Sequence, residues 1–145
     1  MVDVITTILI KSPLKRVSDF ACNPDNAPKW YVNIKSAEWK SPQPLSVGSH
    51  IAFSAQFMGK MLTYTYEVVE LSLNKFVMKT AQGPFPIETS YQFEPIDENT
   101  TRMTLRNTGN PAGFSKLFLP FMSMMIRRAN QKDLKKIKSI LEHGN

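Results

Sequence analysis

The sequence has a single cysteine, Cys22, and no apolar run that approaches the length of a membrane span. One cysteine excludes an internal disulfide and fits a reducing compartment. A membrane-spanning helix needs roughly 18 consecutive apolar residues, and the first residues lack the basic and hydrophobic regions of an export signal. We therefore expect a cytoplasmic protein.

Catalytic and cofactor motifs are also scarce. The two histidines, His50 and His143, fall on the polar phase of a predicted strand and at the C-terminus. The chain has no Gly-x-Ser-x-Gly motif, no phosphate-binding loop and no dinucleotide-binding fingerprint. Metal sites need several His, Cys or carboxylate ligands at compatible spacing, and no such cluster is visible. We expect no metal and no cofactor, and we assign no catalytic residue.

The composition is that of one globular domain. The chain has 145 residues, of which 42% are hydrophobic and 21% charged. Disordered segments are poorer in apolar residues, and a chain of this length can bury a substantial core. Because no repeat, linker or low-complexity tract interrupts it, we predict a single domain over residues 1–145.

Positive charge concentrates near the C-terminus. The net charge is +6, and the chain from Phe114 onward contains seven basic and two acidic residues. Modules that bind single-stranded nucleic acid combine basic residues with exposed aromatic ones. The basic stretch from Arg127 to Lys138 has no aromatic residue, so we expect no nucleic-acid partner.

Most of the chain alternates with the period of a β-strand. Val2 to Lys11 predicts a strand, and two short helices follow. Ser12 is the predicted N-cap of the first, with Pro13 at its first position, and the second lies near Asn26 to Trp30. From about Ser36 to Arg106, apolar and polar residues alternate between turn signals, which predicts about six antiparallel strands. On this phase Glu67, Glu88, Arg102 and Arg106 point outward.

A long helical stretch, Phe114 to Gly144, ends the chain. One continuous apolar stripe marks its core face. In its first half the opposite side is apolar as well, through Leu117, Phe118, Phe121, Met124 and Met125. That side needs something to bury against: a ligand cavity, a second copy or a lipid surface. Pro120 predicts a kink within the helix or its true start, and we favour a kink.

The order of these elements resembles the helix-grip fold of the START and birch-pollen-allergen (SRPBCC) superfamily, and in particular its bacterial polyketide cyclase/dehydrase-type proteins. The segments that carry the resemblance are Ser12-Pro13 with Val17 and Phe20, Asn23-Pro24, Trp30, Val47-Gly48, Tyr91 to Pro95, Thr101, and Asp133 to Glu142. The resemblance implies an α+β fold in which a curved antiparallel sheet of about seven strands wraps around a long C-terminal helix. It also implies an elongated hydrophobic cavity between the sheet and this helix.

Residues on the inward phase are the candidates for the wall of this cavity, because aromatic and methionine side chains suit an adaptable apolar site. They are Trp30, Phe53, Phe57, Tyr64, Tyr66, Met78, Tyr91, Met103, Phe121 and Met125. Arg127 and Arg128 are candidates for contact with an anionic head group. With the ionisable strand residues outward, we expect no group inside the cavity that titrates near neutral pH.

These observations favour binding or carriage of a small hydrophobic or amphipathic ligand such as a lipid or polyketide. Two alternatives remain open: an enzyme of the cyclase/dehydratase type, and a module that docks on a partner, a second copy or a membrane through the excess apolar helix face. A gate at the cavity mouth, formed by Pro111 to Gly113 and the Gly83-Pro84 turn, is a further hypothesis.

Overall fold

The computed structural model describes residues 1–57, 59–83, 86–110 and 117–143, the side chain of Phe57 excepted. Within these ranges, seven strands form one antiparallel sheet in the order β1-β7-β6-β5-β4-β3-β2. The strands are β1 (Val2–Ile10), β2 (Ile34–Trp39), β3 (His50–Phe57), β4 (Lys60–Leu71), β5 (Lys75–Gln82), β6 (Ile87–Asp97) and β7 (Thr100–Gly109). The helices are α1 (Leu14–Ala21), α2 (Ala27–Trp30) after a 3₁₀ turn at Pro24–Asn26, and α3 (Leu119–Glu142).

The predicted alternation of the strands is confirmed by their burial. Ile51, Val68, Met103 and Leu105 are inaccessible to solvent on the face that forms the core. Charged strand residues on the opposite phase form surface ion pairs, among them Lys79 with Glu88 and Arg106 with Asp3. The period of two therefore placed the sheet's inner face correctly.

Both predicted helix starts need correction. Ser12 does not cap α1 with its side chain: helix α1 begins at Leu14 behind Pro13, while the Ser12 carbonyl accepts a hydrogen bond from Thr101 Oγ1 at 2.8 Å. Pro120 does not kink a longer helix. It lies in the first turn of α3, where its missing N–H would have no partner within the helix, so it marks the start of the helix.

Helix α3 packs along β1, the strand at one edge of the sheet. It packs mainly against β1 and α2, and its basic side chains reach the β1 backbone: Arg127 Nη1 donates to the carbonyl of Ile5 at 3.1 Å and Lys138 Nζ to that of Leu9 at 2.9 Å. Because the helix follows β1, a gap is left between its other side and strands β3 and β4. Among the described residues, no helix is long and apolar enough to cross a membrane.

Candidate functional site

A cavity of about 460 Å³ fills the gap between the sheet and α3. Its wall is built from β2, β3 and β4 on one side and from the first four turns of α3 on the other, with one residue each from β6 and β7. The volume lies within the range of small-molecule sites.

Aromatic rings form the sheet side of the cavity. Phe53 on β3 is the cross-strand partner of Tyr64 on β4. The ring centroid of Tyr66 lies 5.8 Å from that of Phe53 and 6.1 Å from that of Tyr64. Burial raises the pKa of Tyr64 to about 12 and also raises that of Tyr66, against the lowering effect of the Thr89 and Thr80 side chains. Both phenols are therefore neutral at physiological pH.

Helix α3 supplies a flexible, mostly apolar wall. Met122, Met125, Ile126 and Ala129 line the cavity, and their spacing of three and four residues puts them on one helical face. Methionine adapts its shape to a neighbour more readily than a branched side chain does. This face can therefore pack against apolar ligands of different shapes.

Polar groups take over the α3 wall at Asn130 and Asp133, after the apolar stretch from Met122 to Ala129. A chain of hydrogen bonds runs from the helix to the sheet: Asn130 Nδ2 donates to Asn107 Oδ1 at 2.6 Å, and Asn107 Nδ2 donates to Thr89 Oγ1 at 2.9 Å. One turn further along α3, Asp133 Oδ1 accepts the backbone N–H of Val32 at 2.8 Å. This end of the cavity combines amides with a carboxyl group.

Asp133 has the most unusual electrostatics of the wall. Its side chain is 2% exposed. Burial raises the pKa of the Asp133 carboxyl to about 6, against the lowering effects of the Val32 N–H and of Lys136 and Lys132. A carboxyl group with this pKa exchanges protons near neutral pH, which is a property shared by many functional carboxyls.

A pair of tyrosines supports the wall beside Asp133. The hydroxyls of Tyr31 and Tyr91 lie 2.6 Å apart, and Tyr31 lines the cavity while Tyr91 lies behind it in the core. Burial raises the pKa of both phenols. The short contact fixes the position of the Tyr31 ring at the polar end.

The structure places four of the ten predicted wall residues on the cavity: Phe53, Tyr64, Tyr66 and Met125. Four others are packed into the core and do not reach it, namely Trp30, Met78, Tyr91 and Met103. Phe121 is 48% exposed on the outer side of α3, and the side chain of Phe57 lies outside the described residues. Strand phase alone separates inward from outward positions and cannot separate core from cavity wall.

The two arginines lie away from the cavity. Arg127 is held outside by the carbonyl of Ile5, and Arg128 is exposed. Neither residue contributes to the cavity wall. Of the proposed gate, Pro84 and Pro111 to Gly113 lie outside the described residues.

The expectation that no group titrating near neutral pH lines the cavity is wrong. The strand residues Glu67, Glu88, Arg102 and Arg106 do point outward, in surface ion pairs. The titratable carboxyl comes instead from the helix, through Asp133. A signal was present in the sequence, since Met122, Ile126, Asn130, Asp133 and Ile137 follow one another at intervals of four and three.

A curved antiparallel sheet closed by a C-terminal helix over an apolar cavity defines the helix-grip class of ligand-binding folds. The chain matches the family described as "Polyketide cyclase / dehydrase and lipid transport" over residues 1–142. It belongs to this family, as the resemblance seen in the sequence implied.

Solved structures share the fold over nearly the whole chain. A protein from Thermus thermophilus has a TM-score of 0.83 at 19% identity, with 99% of each chain covered. A START superfamily protein from Mycobacterium smegmatis has a TM-score of 0.83 at 12% identity, also with 99% of each chain covered. The Zhui aromatase/cyclase from Streptomyces has a TM-score of 0.82 at 11% identity, covering 97% of this chain and 93% of its own. No curated protein matches the chain.

Proposed function

We propose that the protein binds a small amphipathic molecule in the cavity between the sheet and α3. The apolar part of the ligand lies between the aromatic rings of β3 and β4 and the methionines of α3. Its polar group lies at the end that holds Asn130 and Asp133. The observation that carries this proposal is a cavity of about 460 Å³ whose α3 wall is apolar from Met122 to Ala129 and polar at Asn130 and Asp133.

The apolar side chains that line this cavity are not packed against one another as core side chains are. Concave sites lined mainly by apolar and aromatic side chains are the usual form of small-molecule sites. Filling the space with larger side chains would add dispersion contacts and bury more apolar surface. The family description, which includes lipid transport, supports a ligand as the reason the space is kept.

Native mass spectrometry of the purified protein, followed by organic extraction of anything bound, tests the proposal directly. We expect a stoichiometric hydrophobic passenger, or uptake of the neutral fluorescent probe Nile red at one site per chain. A protein that carries no passenger and takes up no probe would contradict it.

A pair of matched variants locates the binding site. Ala129→Phe places a ring in the cavity, whereas Gln131→Phe adds the same ring at an exposed position two residues further along the same helix. We expect Ala129→Phe to abolish probe uptake and Gln131→Phe to leave it unchanged. Equal uptake by both variants would place the probe elsewhere and remove the support for this cavity.

Catalysis is a second candidate function, and Asp133 is the observation that favours it. A carboxyl group with a pKa of about 6 can accept and return a proton near neutral pH, and the family description names cyclases and dehydrases. In this role Asp133 would remove a proton from carbon between two carbonyl groups of a poly-β-ketone.

The catalytic candidate is tested by incubating the protein with a short poly-β-ketone and following the absorbance of aromatic product. If Asp133 is the base, Asp133→Asn slows product formation by about 100-fold or more and retains Nile red binding. A rate no higher than that without protein would exclude this activity for that substrate class, while binding could still hold.

A further inference from the structure

The hydrogen-bond chain at the polar end of the cavity has a direction. Asn130 donates through Nδ2 to Asn107, and Asn107 donates through Nδ2 to Thr89. One amide hydrogen of each asparagine is therefore directed along the chain toward the sheet. The Asn130 carbonyl oxygen forms no hydrogen bond with any described residue, so on the helix side this chain offers an acceptor.

Asp133 offers a second acceptor on the same face. Its Oδ1 atom is engaged by the Val32 N–H, while Oδ2 forms no hydrogen bond within the described part of the chain. Residues three apart on a helix are neighbours on its surface. The oxygens of Asn130 and Asp133 therefore form one patch of hydrogen-bond acceptors on the cavity wall.

No cation balances this patch from the cavity side. Among the described residues that line the cavity, Asp133 is the only one with a formal charge at neutral pH. Lys132 and Lys136 flank it in sequence but are exposed on the outer side of α3. Two further amides of the wall, on Asn33 and Gln56, lie at the solvent-exposed rim.

We propose that the cavity selects amphipathic ligands whose polar group is a hydroxyl, which donates a hydrogen bond to Asp133 Oδ2, and discriminates against ligands that end in a carboxylate. This inference rests on the proposed function, because it names the ligand class of the same cavity. It replaces the anionic head group that the basic helix suggested, since the arginines lie outside.

The selection follows from the chemistry of the two head groups. A hydroxyl donates to a carboxylate in a charge-assisted hydrogen bond, which is among the stronger kinds in proteins. A carboxylate has no proton to donate and would meet a like charge at short range in a poorly solvated site. Either it or Asp133 would have to take up a proton first, which weakens binding at neutral pH.

The test compares 1-decanol with decanoate as competitors of Nile red at pH 7.5. The two ligands share a ten-carbon chain and differ in the head group, so the ratio of their Kd values isolates the polar contact. We expect decanol to bind the unmodified protein at least about ten-fold more tightly than decanoate. In Asp133→Asn, whose amide can donate to a carboxylate, we expect the ratio to fall to about three-fold or less.

Asp19→Asn is the matched control, because it makes the same chemical change on an exposed carboxylate of α1. It should keep the selectivity of the unmodified protein. Equal affinities for decanol and decanoate in the unmodified protein, with uptake still blocked in Ala129→Phe, would overturn the selectivity and leave the proposed function standing. Absence of binding by Nile red and both ligands would overturn the two together.

Discussion

Asp133→Asn is expected to stabilise the protein at neutral pH. The substitution keeps an oxygen that can accept the Val32 N–H and removes an ionisable group that is 2% exposed. Burial raises the pKa of the carboxyl from its ordinary value of 3.8 to about 6. The folded protein therefore holds the Asp133 proton at pH values at which the unfolded chain has already released it.

The sign of the effect follows from proton linkage. Between pH 3.8 and about 6 the unfolded state binds fewer protons at this position than the folded state, so the free energy of unfolding falls as the pH rises. The contribution of Asp133 is thus most favourable below pH 3.8 and is lost as the pH passes 6. An asparagine has no such dependence.

The magnitude follows from the same pKa. Each pKa unit corresponds to 1.36 kcal/mol, so the rise from 3.8 to about 6 amounts to about 3 kcal/mol above pH 6. Because the carboxyl borders a cavity that water can enter, this value is an upper bound. It is still a large part of the 5–15 kcal/mol that stabilises a typical domain.

The assay is urea denaturation of the unmodified protein, Asp133→Asn and the surface control Asp19→Asn at several pH values from 3.5 to 8. We expect Asp133→Asn to gain stability over the unmodified protein between pH 4 and 6.5, by up to about 3 kcal/mol, and to keep that advantage at pH 8. Asp19→Asn should stay within about 0.5 kcal/mol of the unmodified protein near neutral pH. A difference between Asp133→Asn and the unmodified protein that does not change with pH would refute this reasoning.

Three further predictions concern other buried contacts. Cys22 is buried and its thiol pKa is raised by burial to about 12, so it should react with a thiol reagent at pH 8 only after unfolding; rapid labelling of the folded protein would contradict this. In Gly83→Ala the new Cβ would lie 2.6 Å from Cδ1 of Tyr64, so the ring must shift, and urea denaturation should show a loss of about 1–3 kcal/mol, with weaker Nile red binding. Thr101→Val removes the donor to the buried Ser12 carbonyl and should cost about 1–3 kcal/mol in the same assay; an unchanged midpoint would contradict this.

The sheet was predictable because strand periodicity is a local property. Alternation in a half-buried strand needs only the residue types, and the inward positions Ile51, Val68 and Met103 are all buried. Whether an inward residue borders a cavity depends on where α3 crosses the sheet. Met103 and Tyr64 share the same phase, yet only Tyr64 lies on the wall.

Local sequence alone leaves the start of α3 ambiguous. Proline at position 120 is compatible with a kink or with the first turn, and Leu119 cannot cap a helix through its side chain. In the structure the Phe118 carbonyl accepts the N–H of Met122 at 3.0 Å, so the helix starts without a side-chain cap. A proline in the first turn loses no hydrogen bond within the helix, because the N–H groups of that turn have no partners there. The helix can therefore begin beside Pro120 without a side-chain cap.

The net charge of the helix hides Asp133, because it is one of only two acidic residues beside seven basic ones from Phe114 onward. A carboxylate three residues after Asn130 and four before Ile137 occupies a buried face, and a buried charge needs a partner or a purpose. Its one hydrogen bond, from the Val32 backbone, leaves Oδ2 free of described partners on the cavity wall. An asparagine would keep that bond without the cost of ionisation, and the two proposed roles of the cavity differ in whether they use the charge of the Asp133 carboxyl or its proton. A ligand hydroxyl that donates a hydrogen bond to Asp133 uses the charge of the carboxylate, whereas acid–base catalysis uses its proton. Decanol selectivity and poly-β-ketone turnover in Asp133→Asn distinguish the two.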